Sequence, residues 1–167
     1  GNYWPASGDR LDVKKFAETY ALNVMGQVNG LVPAVETMKR AGRGQVMIVA
    51  SVSGYTGLPT AAAYGASKAA VINMCEALKF DFDRMNIRIQ VVNPGFIETP
   101  LTHKNSFPMP ALMPAQKAVT RMADGIAAGG FEITFPRRFT YVLKVLRLLP
   151  YWAYFPLMKM FTGSGKR

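Results

Sequence analysis

Acidic side chains run out early in this 167-residue chain: none of the 10 Asp and Glu residues follows Glu132, whereas seven of the 20 Lys and Arg residues do. Residues 1–132 carry thirteen basic and ten acidic groups, a balance of +3, while Arg137, Arg138, Lys144, Arg147, Lys159, Lys166 and Arg167 add +7. The basicity belongs to a tail. The body has no zinc-finger or helix-turn-helix pattern and no basic run interleaved with aromatics, so no nucleic-acid partner is expected. Cysteine is scarcer still. Cys75 alone excludes a disulfide framework and a Cys-based zinc site, is compatible with a reducing, cytoplasmic compartment, and reads as a small buried side chain. His103, the single histidine, has no carboxylate or thiol cluster at metal-ligand spacing and reads as a solvated loop residue, so no metal is expected. The first fifteen residues lack the basic start and apolar core of a secretory signal. In the tail the uncharged stretch Leu148 to Met158 is 11 residues with two prolines, well short of the ~20 needed to span a bilayer. What remains, at 50% hydrophobic and 18% charged, supports a substantial folded core.

Periodicity organises that core. From Leu11 to Arg40 apolar residues recur every three or four positions (Phe16, Tyr20, Val24, Val28, Leu31, Val35, Met38), which predicts a helix with one buried face. Gly42 and Gly44 interrupt it, and the nearly all-apolar run Val46 to Ala50 predicts a short strand buried on both faces of a parallel sheet. After a loop with Gly54, Gly57 and Pro59, helical spacing returns from Ala63 to Phe80. Asn86 separates that helix from a second strand, Ile87 to Val92, which runs into Asn93-Pro94-Gly95. Residues Pro100 to Pro114 read as irregular, Ala115 to Ala128 as a helix capped by Gly129-Gly130, and Phe131 to Phe135 as a last strand. Strand and helix alternate as in βαβ units, so the expected fold is an α/β, Rossmann-like doubly wound parallel sheet. Residues 1–136 are assigned to it and 137–167 to a basic, hydrophobic C-terminal extension. No internal repeat is found.

Three residues carry chemistry. Ser51 directly follows the first strand, where ligands bind in open α/β sheets; Tyr64 and Lys68, four apart, share one face of the next helix. A phenol titrates near about 10 in water, so it exchanges protons at neutral pH only with help from its surroundings. Lys68 can supply a cation, and Ser51 can hold a substrate oxygen while Tyr64 transfers the proton. Alone, Tyr-x-x-x-Lys is equally a surface pair on a helix, and Ser51 or Ser53 equally a turn cap.

The surrounding sequence narrows the choice. Gly44 to Gly54 (GQVMIVASVSG), then Tyr64-Gly-Ala-Ser-Lys68, then Asn93-Pro94-Gly95-Phe-Ile-Glu-Thr99 resembles the short-chain dehydrogenase/reductase family in order and spacing, with Ser51 thirteen positions before Tyr64. Asn23, in Ala-Leu-Asn-Val-Met-Gly, sits where that family carries an active-site Asn. The resemblance implies an NAD or NADP cofactor and hydride transfer between an alcohol and its ketone or aldehyde. It makes Tyr64 the general acid/base and gives Lys68 two tasks, lowering the Tyr64 pKa and binding the nicotinamide ribose. Ser51 would orient the substrate oxygen, and Asn23 would keep a water linking Lys68 to a proton relay. Pro94, Gly95, Ile97 and Thr99 would hold the nicotinamide carboxamide.

The resemblance covers only the C-terminal part of the family's length. The glycine-rich turn Thr-Gly-x-x-x-Gly-x-Gly and the later Asn-Asn-Ala-Gly are absent, and the first residue is Gly, so the chain is read as a portion of a longer enzyme with an exposed sheet edge, poor solubility and weak cofactor binding by itself. In the Pro100 to Pro114 segment, Leu101, Phe107, Met109, Leu112 and Met113 are expected to line an apolar pocket for a small lipid-like or steroid-like substrate; Met and Phe there serve equally as packing anchors. The tail either rests on an anionic membrane surface, as peripheral attachment of a cytoplasmic protein, or covers the pocket or a subunit interface. Family analogy implies a homo-oligomer through the Leu11 to Arg40 and Ala63 to Phe80 helices. Two alternatives stay open: an epimerase or lyase of the same superfamily, and a non-catalytic membrane-associated scaffold or binding module on a truncated fold.

Overall fold

Three apolar segments become parallel strands in the computed structural model, which describes residues 1–105 and 107–163. They are β1 (Gly44–Val49), β2 (Ile87–Pro94) and β3 (Glu132–Phe135), hydrogen-bonded in the order β1-β2-β3. Gly44 to Val49 pair with Ile87 to Val92, and Val91 to Pro94 with Glu132 to Phe135. Parallel pairing requires a crossover at each joint; α3 (Ala62–Arg84) and α4 (Ala115–Ala128) provide the helical part of each. The expected α/β architecture is present.

The periodic segment before β1 is helical from Val13 to Ala41 but not uniformly so. It comprises α1 (Val13–Tyr20), a π-helical turn (Ala21–Met25) and α2 (Gly26–Ala41). Asp12 starts it, its carboxylate accepting from the Lys14 and Lys15 backbone N–H groups at 2.9 and 3.2 Å. Gly42, at φ +65°, ends it in the left-handed conformation that glycine adopts without a Cβ penalty. The Asn86 amide donates to the Gly42 carbonyl at 3.0 Å, fastening the entry of β1 to that of β2.

One face of the sheet carries the larger core. Val46 and Ile48 of β1 and Ile87, Ile89 and Val91 of β2 bury against Val71, Ile72 and Cys75 of α3. Cys75 is the inert core residue its surroundings predicted, with burial pushing its thiol up to about 12. On the opposite face Val92, Ile133 and Phe135 pack on Ala118, Met122 and Ile126 of α4 and on Met113. Gly125 permits that approach, since a Cβ there would lie 2.5 Å from Ile133 Cγ2.

The double burial expected for β1 is not found. Val46 and Ile48 are buried, but Met47 and Val49, pointing to the α4 side, stay more than a third exposed. The reason is coverage: α4 packs chiefly on β2 and β3. A nearly all-apolar strand therefore shows an alternating burial pattern, and its outer edge pairs with no other named strand among the described residues.

The tail joins the core. It forms α5 (Arg137–Arg147) and α6 (Tyr151–Thr162), and Leu143, Leu146, Tyr154 and Met158 belong to the same buried cluster as β1 and α3. Pro150 precedes α6, where a missing N–H costs nothing, and Pro156 is accommodated inside it. No described helix is long and apolar enough to cross a membrane. Lys166 and Arg167 of the basic tail lie outside the described residues.

Candidate active site

Parallel strands deliver their C-terminal ends to one side of a sheet, and that side collects the residues singled out above. Ser51 leaves β1 in extended conformation and caps a short 3-10 turn (Val52–Gly54), accepting from Ser53 N at 3.2 Å and from Ser53 Oγ at 2.8 Å. Pro94 and Gly95 leave β2 beside it. Gly95 N donates to Phe135 O at 2.8 Å, and a Cβ at Gly95 would meet the side chains of Phe139 at 3.1 Å and Pro136 at 3.2 Å, a tight contact with the start of α5.

The 3-10 turn presses on α3. A Cβ at Gly54 would lie 2.7 Å from both Ile72 Cδ1 and the Lys68 carbonyl carbon, and 2.8 Å from Ala69 N. Backbone cannot give way as a side-chain tip can, so Gly54→Ala is expected to destabilise the fold by about 1–3 kcal/mol. Chemical denaturation would measure the loss, and a wild-type midpoint would show that the turn and α3 are not in contact.

On the first turns of α3, Tyr64 and Lys68 do share a face. The Lys68 ammonium, 5% exposed as a residue, donates to the Val49 carbonyl at 3.0 Å and lies 5.7 Å from the centroid of the Tyr64 ring. Burial lowers its pKa. The Tyr64 phenol is shifted above its ordinary range, because burial outweighs the hydrogen bonds with Ser51 and Ser53 that pull it down. Lys68 therefore does not depress Tyr64 in this structure: its Nζ is turned to the Val49 carbonyl, and burial disfavours its own charge.

Asn23 lies in the π-helical turn and is 1% exposed. Its amide donates to Ser67 Oγ at 3.0 Å and to Asn2 O at 3.1 Å, and its Oδ1 accepts from Asn2 N at 2.9 Å. Ser67 Oγ in turn donates to the Tyr64 carbonyl at 2.7 Å. A Cβ on Gly1 would sit 2.8 Å from Asn23 Oδ1 and 3.6 Å from Lys68 Nζ, so the two side chains flank one point. Asn23, Ser51, Tyr64 and Lys68 are thus gathered from three separate stretches of sequence. Sequence reasoning missed Asn2, Ser67 and Tyr3, whose ring meets Tyr64 edge-on at 5.4 Å; nothing local marks them.

The segment after Gly95 folds against α5 and α4. Ile97 bridges to Met113, and Thr99 and Thr102 hold each other, with Thr99 N donating to Thr102 Oγ1 at 2.9 Å. Phe96 contacts Phe107 edge-on at 6.0 Å and Phe139 at 5.8 Å. Leu101, Phe107, Met109 and Leu112 keep exposed surface, whereas Met113 is buried and serves as a core anchor rather than a pocket residue. His103 is a solvated loop residue, its Nε2 4.0 Å from Glu98 Oε1.

Between the two turns lies a polar cluster that the sequence did not reveal. Glu132 Oε1 accepts from the Tyr55 hydroxyl and, at 2.8 Å, from the Asn93 amide; Glu132 Oε2 is bound by Lys144 of α5. Thr134 Oγ1 donates to the Asn93 carbonyl at 2.9 Å. Burial pushes the Glu132 carboxyl up, but the hydrogen bonds from Lys144, Tyr55 and Asn93 together with the Lys144 charge carry it below its ordinary range. Burial and Glu132 push the Tyr55 phenol strongly up. The Ser51 turn, the Pro94-Gly95 turn and the tail are thereby joined through one carboxylate.

Comparison with known proteins places this arrangement. The profile of the family described as short chain dehydrogenase matches residues 1–108. An uncharacterized oxidoreductase of Myxococcus xanthus is 36% identical over 128 residues, covering 77% of this chain and 51% of that protein. A cyclopentanol dehydrogenase of Comamonas is 39% identical over 85 residues, 51% of this chain and 34% of its own length. Among solved structures, a short chain dehydrogenase from Burkholderia cenocepacia in complex with NADP superposes with a TM-score of 0.76 at 22% identity, covering 86% of this chain and 60% of that one. One from Sphingobium yanoikuyae in complex with NADPH gives 0.74 at 18%, covering 81% and 54%. The chain spans about half the length of the Myxococcus relative, 51%. Likeness of sequence and of fold agree, and the chain belongs to the short-chain dehydrogenase family.

Proposed function

We propose that the protein carrying this chain is an NAD(P)-dependent oxidoreductase that interconverts an apolar alcohol and its ketone or aldehyde, with Tyr64 as general acid/base. The observation that carries the reading is a half-buried phenol placed against the Ser51 and Ser53 hydroxyls one helical turn from a buried ammonium. The residues present fit the nicotinamide end of such a cofactor. Lys68 donates to one carbonyl only among the described residues, leaving two N–H protons for ribose hydroxyls. The pattern Thr-Gly-x-x-x-Gly-x-Gly for a pyrophosphate does not occur in the 167 residues. When bound, the nicotinamide supplies the hydride acceptor or donor.

The chain's own groups handle the proton. Ser51 holds the substrate oxygen, Tyr64 gives it a proton in reduction and takes one in oxidation, and Lys68 binds the nicotinamide ribose. Asn23 positions the start of α3 through Ser67 and stands at the Lys68 end of a proton path to solvent. Because the Tyr64 phenol is raised, the site holds its proton at neutral pH. Reduction is then favoured at pH 7 and declines as pH rises through the Tyr64 pKa, while oxidation rises over the same interval. Ser51→Ala removes a hydrogen bond that favours the phenolate, so the oxidative limb moves to higher pH and kcat falls by about 10²-fold. Initial rates across pH 7 to 11 test this; an unmoved limb in Ser51→Ala would detach Ser51 from Tyr64.

For the substrate, Leu101, Phe107, Met109 and Leu112 present apolar surface after the Pro94-Gly95 turn, which suits a carbon-rich alcohol better than a sugar. Relatives named cyclopentanol dehydrogenase and 3-oxoacyl-[acyl-carrier-protein] reductase act on carbon-rich groups of this kind. Exposed Leu22, Met25 and Val32 on the α1 to α2 stretch support association with a second copy through that surface. The test is titration of NADH and NADPH, followed by turnover on cyclic alcohols, steroid alcohols and their ketones. It should be run on the chain with any sequence its gene encodes upstream of Gly1. Cofactor binding without turnover on any of them would favour an epimerase or lyase, and no binding at all the scaffold reading.

A further inference from the structure

The two tail helices bury one side each and leave the other to solvent. On α5 the exposed side carries Arg137, Arg138, Tyr141, Val142 and Val145; on α6 it carries Tyr151, Trp152, Phe155, Lys159 and Met160. Large apolar side chains are concentrated where the helices meet, with Leu148 83%, Tyr151 77% and Trp152 80% exposed. Contiguous apolar exposure of this kind marks an interaction surface on a folded protein. The charge around it has one sign. No acid follows Glu132 in the sequence, and Glu132 itself is taken up by Lys144, leaving Arg137, Arg138, Arg147 and Lys159 around the apolar side chains.

We propose that this surface docks on an anionic lipid bilayer, lying in the interface without crossing it. The partner follows from complementarity. Tyr and Trp seat at the headgroup level, apolar side chains enter the acyl boundary, and Arg and Lys meet lipid phosphates. With 11 residues in α5 and 12 in α6, neither helix reaches across the hydrocarbon. The buried sides, Leu143 and Leu146 on α5 and Tyr154 and Met158 on α6, are fixed in the core, so insertion is shallow and the fold need not open. The inference does not depend on the oxidoreductase reading, which uses none of these side chains.

Flotation on lipid vesicles tests it, because protein aggregates sink while vesicle-bound protein rises. The wild-type chain is expected to float with phosphatidylcholine vesicles containing about 30% phosphatidylglycerol and to stay down with pure phosphatidylcholine. Added salt at about 0.5 M should release most of it. The double variant Leu148→Glu/Trp152→Glu should lose about tenfold or more in vesicle affinity with an unchanged melting temperature, since both sites are exposed. In a Trp4→Phe background, Trp152 emission should shift to shorter wavelength on the anionic vesicles only. Tyr64→Phe should float like wild type. Absence of flotation on anionic vesicles, or flotation indifferent to the double substitution, would overturn the proposal. So would lipid-free self-association, seen by light scattering, that the same double substitution abolishes, because the occupant would then be a second copy.

Discussion

Tyr64→Phe is expected to bind cofactor and fold like wild type while losing about 10²–10⁴-fold in kcat, the range a positioned general acid contributes. The substitution removes one oxygen and no ring. Ser51 and Ser53 remain hydrogen-bonded to each other at 2.8 Å, so no buried hydroxyl is stranded, and the edge contact of Tyr3 with the aromatic ring survives. The loss should therefore fall on the chemical step, with KM nearly unchanged. It should also erase the alkaline rise of the oxidation rate, because that rise reports the raised phenol of Tyr64. Steady-state kinetics in both directions, beside a nicotinamide fluorescence titration, separate these effects. Full activity in Tyr64→Phe would remove the acid/base assignment, whatever the fold.

The second large effect concerns stability rather than rate. Glu132→Ala strands the Lys144 ammonium and the buried Asn93 amide and leaves the Tyr55 hydroxyl only its longer bond to Thr134 Oγ1, at 3.2 Å. Because Lys144 keeps about a third of its side chain in solvent, at 36%, the loss falls below that for a fully buried pair; about 2–3 kcal/mol is expected. Glu132→Gln, which preserves shape and an acceptor, should lose about half of that. The pH dependence has a definite sign. The folded carboxyl lies below its ordinary 4.5, so its contribution is complete above that value and is lost as pH falls through the folded pKa. Thermal melts from pH 7 to pH 3 should show wild type losing its advantage over Glu132→Gln in acid. A constant difference across that range would mean that the carboxylate charge plays no part.

The fold was legible wherever local pattern and burial coincide. Ala115 to Ala128 forms a helix with those same bounds because Pro114 leads into it and Gly129 ends it. Ser51, Tyr64 and Lys68 were found because they are close in sequence and their types are rare together. Glu132 and Lys144 were not, because each is an ordinary charge until the sheet and α5 bring them to Tyr55 and Asn93. The same holds for Asn2 and Ser67 around Asn23. The second face of β1 misled because Val46 to Ala50 reads alike whether or not a helix covers Met47 and Val49. The uncharged stretch Leu148 to Met158 showed that it is too short to span a bilayer but not that it is helical; Pro150 stands just outside α6 and Pro156 is tolerated within. The direction of the Tyr64 shift depends on how deeply the phenol is buried, which no spacing reports.

The most direct test of the central claim follows an isotope. A secondary alcohol deuterated at its carbinol carbon, drawn from the cyclic alcohols that turn over, is oxidised by the protein at pH 9 with NAD or NADP, and the recovered reduced cofactor is weighed by mass spectrometry. The account predicts one deuterium on the cofactor, a primary isotope effect on the rate, and the same label forming about 10²–10⁴-fold more slowly in Tyr64→Phe. Deuterium retained in a product that is not a ketone or aldehyde, with unlabelled cofactor, would contradict it.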